Sequence, residues 1–172
     1  IGFIDADDWI TPDFYEKLLK KAEETGADMV GCDYHLTCEH SMKIGQIVHN
    51  NTPEQTGVLT EEKYRSLILD GGSLVVKIYQ RHLILDYPNR FPEGIFYEDN
   101  AIGNSWMLRA KNFAYLQEPL YYYYQRPDSI LHRRNMKFYE DKLDMGYHKY
   151  HASREAYPGM PENDAAMLSV VE

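Results

Sequence analysis

A short apolar run, Ile1-Gly2-Phe3-Ile4, breaks without a spacer into Asp5-Ala6-Asp7-Asp8, and this junction constrains the fold more than any other feature of the chain. Apolar residues cut off abruptly by acids read as the carboxyl end of a buried strand, where α/β proteins gather their ligands. Three carboxylates within four residues repel one another unless a cation joins them. Oxygen donors alone favour a hard divalent ion, Mg²⁺ or Mn²⁺, with bound phosphates completing its shell. A calcium loop of the EF-hand type fits poorly, since Ile10 stands where that loop needs glycine. The bland alternative is that Asp8 caps a turn while its neighbours are simply solvated.

The rest of the chain alternates strand-like and helix-like segments. Thr11-Pro12 reads as a helix start, Phe14, Leu18 and Ala22 recur at helical spacing, and Gly26 closes the segment. Residues 27–36 and 43–49 read as strands, 50–57 as a loop, and a helix starts at Thr60 and ends at Gly71-Gly72. Residues 73–79 resemble a buried strand, and residues 87–96, with their prolines and glycine, a shaped loop. A helix follows from Glu98-Asp99, then a β-rich stretch over 112–125 ending in four tyrosines, then a charged helix over 136–157. This order fits an α/β fold with a mixed sheet flanked by helices. At 172 residues one domain is expected, covering 1–157, with a tail at 158–172. The opening inside a strand, without methionine, suggests that something precedes Ile1.

Composition removes several classes of function. With 27 acidic residues against 18 basic, the chain lacks the basic face that a nucleic-acid partner requires. A phosphate-bearing ligand must therefore bring a cation with it. Cys32 and Cys38 have no second pair, so neither a zinc knuckle nor a disulfide framework is indicated, and a reducing, cytoplasmic setting is expected. No apolar run approaches the roughly 20 residues that a membrane helix needs.

Two further groups carry chemistry. Glu98-Asp99 at a helix start could serve only as a cap and dipole partner, but that setting also holds a carboxylate ionised and fixed, as a general base requires. Arg126, at the end of the tyrosine-rich strand with Ser129, His132, Arg133 and Arg134 close behind, could clamp a diphosphate. For Arg133 and Arg134 a solvated basic loop is an equal reading. The tyrosine run itself reads as alternating core and surface positions rather than as a sugar platform.

Taken together, Phe3-Ile4-Asp5-Ala6-Asp7-Asp8-Trp9-Ile10, Phe91-Pro92-Glu93-Gly94 with Tyr97-Glu98-Asp99-Asn100, and Tyr124-Gln125-Arg126 with Ser129-Ile130 resemble the family 2 GT-A glycosyltransferases of bacterial surface-polysaccharide synthesis. The resemblance implies a truncated GT-A fold in which residues 1–157 are the acceptor-side part and the nucleotide-binding half is missing. It implies inverting transfer of a sugar from a nucleotide-diphospho-sugar to a glycan, lipid-linked or protein acceptor, with membrane association only peripheral and through the acceptor. The segment alone would be inactive. By the same resemblance Asp7 and Asp5 would hold the metal, Asp5 would also lie near the ribose, Asp99 would be the base, and Arg126 and Ser129 would meet the diphosphate. Lys77 matches a commonly basic or polar position without an assigned role. The Gln-x-x-Arg-Trp signature of processive synthases is missing, which favours single-sugar transfer. The competing reading is a non-catalytic binding module that keeps the fold.

Overall fold

The computed structural model describes residues 1–38, 44–88, 90–126 and 135–159. Along the chain lie β1 (Trp9–Ile10), α1 (Phe14–Thr25), β2 (Met29–Cys38), β3 (Ile44–Val48), β4 (Gly57–Val58), α2 (Glu61–Leu69), β5 (Lys77–Tyr79), α3 (Arg81–Leu85), α4 (Glu98–Arg109), β6 (Asn112–Gln125) and α5 (Met136–Ala156). The expected tail lies, from residue 160, outside the described residues.

Strands β2 and β6 form the spine of a six-stranded mixed sheet. They pair in parallel from Met29 opposite Phe113 to Cys38 opposite Gln125, while β1, β3, β4 and β5 add antiparallel. A parallel pair needs a long crossover, and the helices between β2 and β6 supply it. Because side chains alternate across a strand, β2 feeds two cores. Met29 packs with Leu67, Trp106 and Phe113 beneath α2 and α4, whereas Val30 and Cys32 pack with Phe14, Leu18 and Tyr121 beneath α1. Helices therefore cover both faces, as the α/β reading required.

Local sequence explains most boundaries. Phe14 and Leu18, one turn apart, are fully buried, each burial worth about 1.5–3 kcal/mol. Gly26 ends α1 in the left-handed conformation at φ 63°. In α2 the Thr60 hydroxyl accepts from the Lys63 amide, the cap anticipated there. Strand β6 and helix α5 fall where their residue patterns place them.

Several expectations need correction. Thr11 does not cap α1: its amide donates to Leu120 O at 2.9 Å and its carbonyl accepts from Phe14 N, so the helix begins after Asp13. Residues 1–4 are not a full strand, because only Gly2 bridges Ile78, with Ile1 and Tyr79 exchanging backbone hydrogen bonds beside it. Residues 73–79 are strand only from Lys77, since the Lys77 ammonium draws the Gly71 and Ser73 carbonyls round itself and curls the preceding segment. The loop at 50–57 contains a 3₁₀ turn over Pro53–Gln55, and α3 had no counterpart in the sequence reading.

Candidate active site

The acidic loop is held from below by a tyrosine of β6. Tyr121, fully buried, donates its hydroxyl to Asp8 Oδ2 at 2.6 Å and accepts from the Asp5 amide at 3.2 Å, while the Tyr124 amide donates to Asp8 Oδ1 at 2.8 Å. Asp8 is thereby committed to the fold, and the three-carboxylate cluster reduces to two available acids. Asp7 turns the other way, where its Oδ2 lies 3.0 Å from Arg126 Nε at the end of β6.

Glu98 and Asp99 open α4 on the far side of the same space. Tyr97 precedes them with φ 65°, a left-handed conformation that costs a non-glycine residue energy and aims the first turn of the helix. Helix α5 buttresses this corner: Asp141 accepts from the Phe96 amide at 3.0 Å, and Lys137 binds both Asp141 and the Gly94 carbonyl. Asp5, Asp7, Asp99 and Arg126 border a single open cavity of about 680 Å³, which Ser73–Val76, Phe91 and Tyr123 also line. Strands and helices far apart in sequence thus bring both acidic pairs and the arginine to one place.

The electrostatics follow from crowding. Burial, then the negative charges of Asp8, Asp99, Asp7 and Glu98, raise the Asp5 pKa above its ordinary value. Burial raises Asp99 too; hydrogen bonding from its own helix start opposes this, and the charge of Glu98 adds to it. The helix start does not dominate here, so Asp99 is a stronger base than an exposed aspartate.

Among the described residues no three His, Cys, Asp or Glu side chains converge into a ready-made cation cage. The donor set still suits one kind of ion. Two oxygen-bearing side chains, Asp5 and Asp7, in a site with surplus negative charge match a cation that takes most of its shell from phosphates and water, as Mg²⁺ does.

Ser129 and the basic residues after it lie outside the described residues. Lys77 does not line this cavity. It is fully buried, donates to the Gly71 and Ser73 carbonyls, and burial lowers its pKa to about 7. Tyr121, Tyr123 and Tyr124 border the cavity, so the tyrosine run is more than alternating core and surface positions. Alternation accounts for Tyr121 and Tyr123, which share a face of β6, whereas Tyr124 reaches the cavity from the strand end beside Arg126. Tyr122 stacks on Trp9 and His35 instead.

Comparison with known proteins bears on the family and the fold. Residues 1–76 match the family model described as Glycosyl transferase family 2. The chain is similar to the putative glycosyltransferase EpsH of Bacillus subtilis (strain 168), with 31% identity over 150 residues, covering 83% of this chain and 42% of that protein. It is 27% identical over 143 residues to the uncharacterized glycosyltransferase YibD of Escherichia coli (strain K12), covering 80% and 42%. The chain thus spans less than half the length of these curated relatives. Among solved structures, S. aureus TarS 1–349 superposes with a TM-score of 0.59 at 20% identity, over 98% of this chain and 44% of that one. TarS 1–349 in complex with UDP-GlcNAc gives a TM-score of 0.57 at 19% identity, over 90% and 46%. At these identities the structures speak for the fold, which is the GT-A fold.

Proposed function

The chain carries a glycosyltransferase family 2 segment on the GT-A fold, and from that premise we propose that it forms the metal and acceptor side of an enzyme that moves a sugar, with inversion, from a nucleotide-diphospho-sugar to an acceptor hydroxyl. The observation that carries this reading is the shared cavity, in which Asp99 faces Asp5, Asp7 and Arg126.

Asp99 takes the proton from the acceptor hydroxyl while that oxygen forms its bond to the anomeric carbon. The bond from that carbon to the diphosphate oxygen breaks on the opposite face, and the electron pair leaves with the nucleotide. One base on one face is enough for a single displacement, so one carboxylate suffices for inversion. Arg126 meets the charge that grows on the diphosphate, and this lowers the barrier because the charge is larger in the transition state than in the bound donor. Asp7 and Asp5 would hold Mg²⁺ or Mn²⁺, whose charge, when bound, stabilises the leaving diphosphate. Phe91 and Tyr97 border the acceptor side, where an apolar face can seat a sugar ring.

We place the reaction in the cytoplasm and in the synthesis of surface polysaccharide or another glycoconjugate, with a hexosyl unit transferred. The glycosyltransferase resemblance supports sugar transfer, and the cysteine usage supports a reducing setting. The test is to incubate the full-length enzyme with a panel of nucleotide sugars and Mn²⁺ and to read the anomeric configuration of the first product by NMR. A product that retains the donor's configuration, or no transfer from any donor, would remove this assignment.

A further inference from the structure

Ser73–Val76 wall the reaction cavity without supplying any group that the reaction uses. Ser73 and Leu74 nevertheless stand beside the base, since with Asp99 and Asn100 they line both that cavity and a smaller recess of about 210 Å³ next to it. An acceptor whose hydroxyl reaches Asp99 has this wall at its side.

Residues 71–76 belong to no helix or strand, and irregular backbone keeps one shape only where other groups satisfy its amides and carbonyls. Here side chains do so from behind. Asn50 Oδ1 accepts from the Ser73 amide at 2.8 Å, while Lys77 Nζ donates to the Ser73 carbonyl at 2.6 Å and to the Gly71 carbonyl at 2.7 Å. Ser73 is thus gripped at both its amide and its carbonyl. Gly72, at φ 66°, lies against Asn50 so closely that a Cβ would come within 2.3 Å of the Asn50 carbonyl oxygen. Asn50 is itself anchored: its amide donates to Asp33 Oδ1 at 3.3 Å, and its Nδ2 donates to Asn51 Oδ1 at 3.0 Å. Asn51 Nδ2 in turn donates to the Gly71 carbonyl at 3.3 Å. Asn50, Asn51 and Lys77 are all buried, and none of them borders the reaction cavity.

Stability gives a poor account of Lys77. It is fully buried, both of its hydrogen bonds go to carbonyls rather than to a carboxylate, and burying a charge on such terms is unfavourable. An apolar chain of the same length would fill the space without that cost. It could not turn two carbonyls, two residues apart, toward one point. We infer that Asn50 and Lys77 are positioning residues: from outside the reaction cavity they clamp Ser73 and hold the wall beside Asp99, so that the acceptor hydroxyl is presented to the base. This rests on the reading of Asp99 as the base. Asp5, Asp7 and Arg126 stand on other segments, so loosening the wall acts on the acceptor and spares the donor.

The test uses the full-length enzyme with Lys77→Met, which keeps the apolar stem and removes the donors, and Asn50→Ala, which removes the acceptor of the Ser73 amide. Hydrogen exchange read by mass spectrometry should accelerate about tenfold or more across residues 71–76 in both variants and stay at the wild-type rate in α1 and β6. With the nucleotide sugar found active in the donor panel and p-nitrophenyl glycosides as acceptors, kcat/KM for the acceptor should fall about 10–100-fold while the donor KM stays near its wild-type value. Lys77→Arg, which restores donors at the same place, should recover part of the loss. Should Lys77→Met fail to fold, Asn50→Ala carries the same readouts. Unchanged exchange across residues 71–76, equal losses for donor and acceptor, or wild-type acceptor kcat/KM in the folded variants overturns the inference. The base is judged separately, from turnover of Asp99→Asn. If that variant is inactive and the wall variants keep their acceptor kcat/KM, the positioning role alone has failed; if it is active and they lose it, the base alone has failed.

Discussion

Arg126 Nε lies 3.0 Å from Asp7 Oδ2, so the arginine after β6 and the acid of the loop before β1 are already paired before any ligand arrives. Both side chains are substantially exposed, and such a pair contributes at most about 1 kcal/mol to stability. It can therefore be exchanged at little cost, Arg126 turning to phosphate oxygens and Asp7 to a cation. Arg126→Ala should lower affinity for a nucleoside diphosphate about tenfold or more while leaving the urea midpoint nearly unchanged. Calorimetric titration checks this, and undiminished affinity would take Arg126 out of the diphosphate site.

Asp7→Ala bears on the cation. In the full-length enzyme, nucleotide affinity should increase on adding Mn²⁺ in the wild type and respond far less in the variant. A variant whose affinity still responds to Mn²⁺ as the wild type does would count against Asp7 as a ligand.

Asp99→Asn should reduce turnover by about 10²–10⁴-fold with nucleotide affinity retained. The pH dependence has a definite sign. Burial raises the Asp99 pKa, so the ionised, competent base is lost as pH falls through a value above the ordinary 3.8. The acidic limb of kcat/KM should accordingly lie above that of a solvent-exposed aspartate. A limb at or below 3.8 contradicts the environment described for Asp99.

Asp5 offers a test on stability rather than rate. Its folded pKa is raised, by burial first and then by four neighbouring acids, so its ionisation opposes folding. The stabilising protonated form is fully present below the unfolded value of 3.8 and is lost as pH rises through the folded value. Asp5→Asn should thus raise the thermal midpoint at pH 7, by about 1–3 °C, and the gain should shrink as pH is lowered. A destabilised Asp5→Asn at neutral pH would show that the carboxylate is needed for the loop itself.

Tyr121→Phe removes the hydroxyl that joins Asp8 to the Asp5 amide. Leaving Asp8 Oδ2 without this donor should cost about 1–3 kcal/mol in a denaturant melt. Nucleotide binding should weaken in parallel, because the loop that presents Asp7 loses its anchor. Full retention of both would reduce Tyr121 to a packing residue.

Much of the architecture is legible from local rules. Phe14 and Leu18 one turn apart, Gly26 at a helix end, Thr60 as a cap and the β-branched and aromatic run through β6 each act over a few residues. What misled the reading acts over longer distances. Thr11 has the chemistry of a cap, yet Leu120 on β6 takes its amide into the sheet edge. Residues 73–76 have the composition of a strand, yet the buried ammonium of Lys77 bends them into the cavity wall. Asp8 is indistinguishable from Asp7 by type, and only its bonds to Tyr121 and Tyr124 set it apart.

The amino-acid order alone determined that an acidic loop would follow the apolar opening residues, that a second acidic pair would begin a helix, and that an arginine would end a tyrosine-rich strand. Periodicity and capping are short-range effects, and they need no partner from elsewhere in the chain. Which of those acids would face one another, which would be consumed by the fold, and that Asn50 and Lys77 would clamp the cavity wall were decided only by tertiary packing. Those outcomes depend on the parallel pairing of β2 with β6 and on the seating of α4 against the sheet, contacts between residues far apart in sequence that no local pattern encodes.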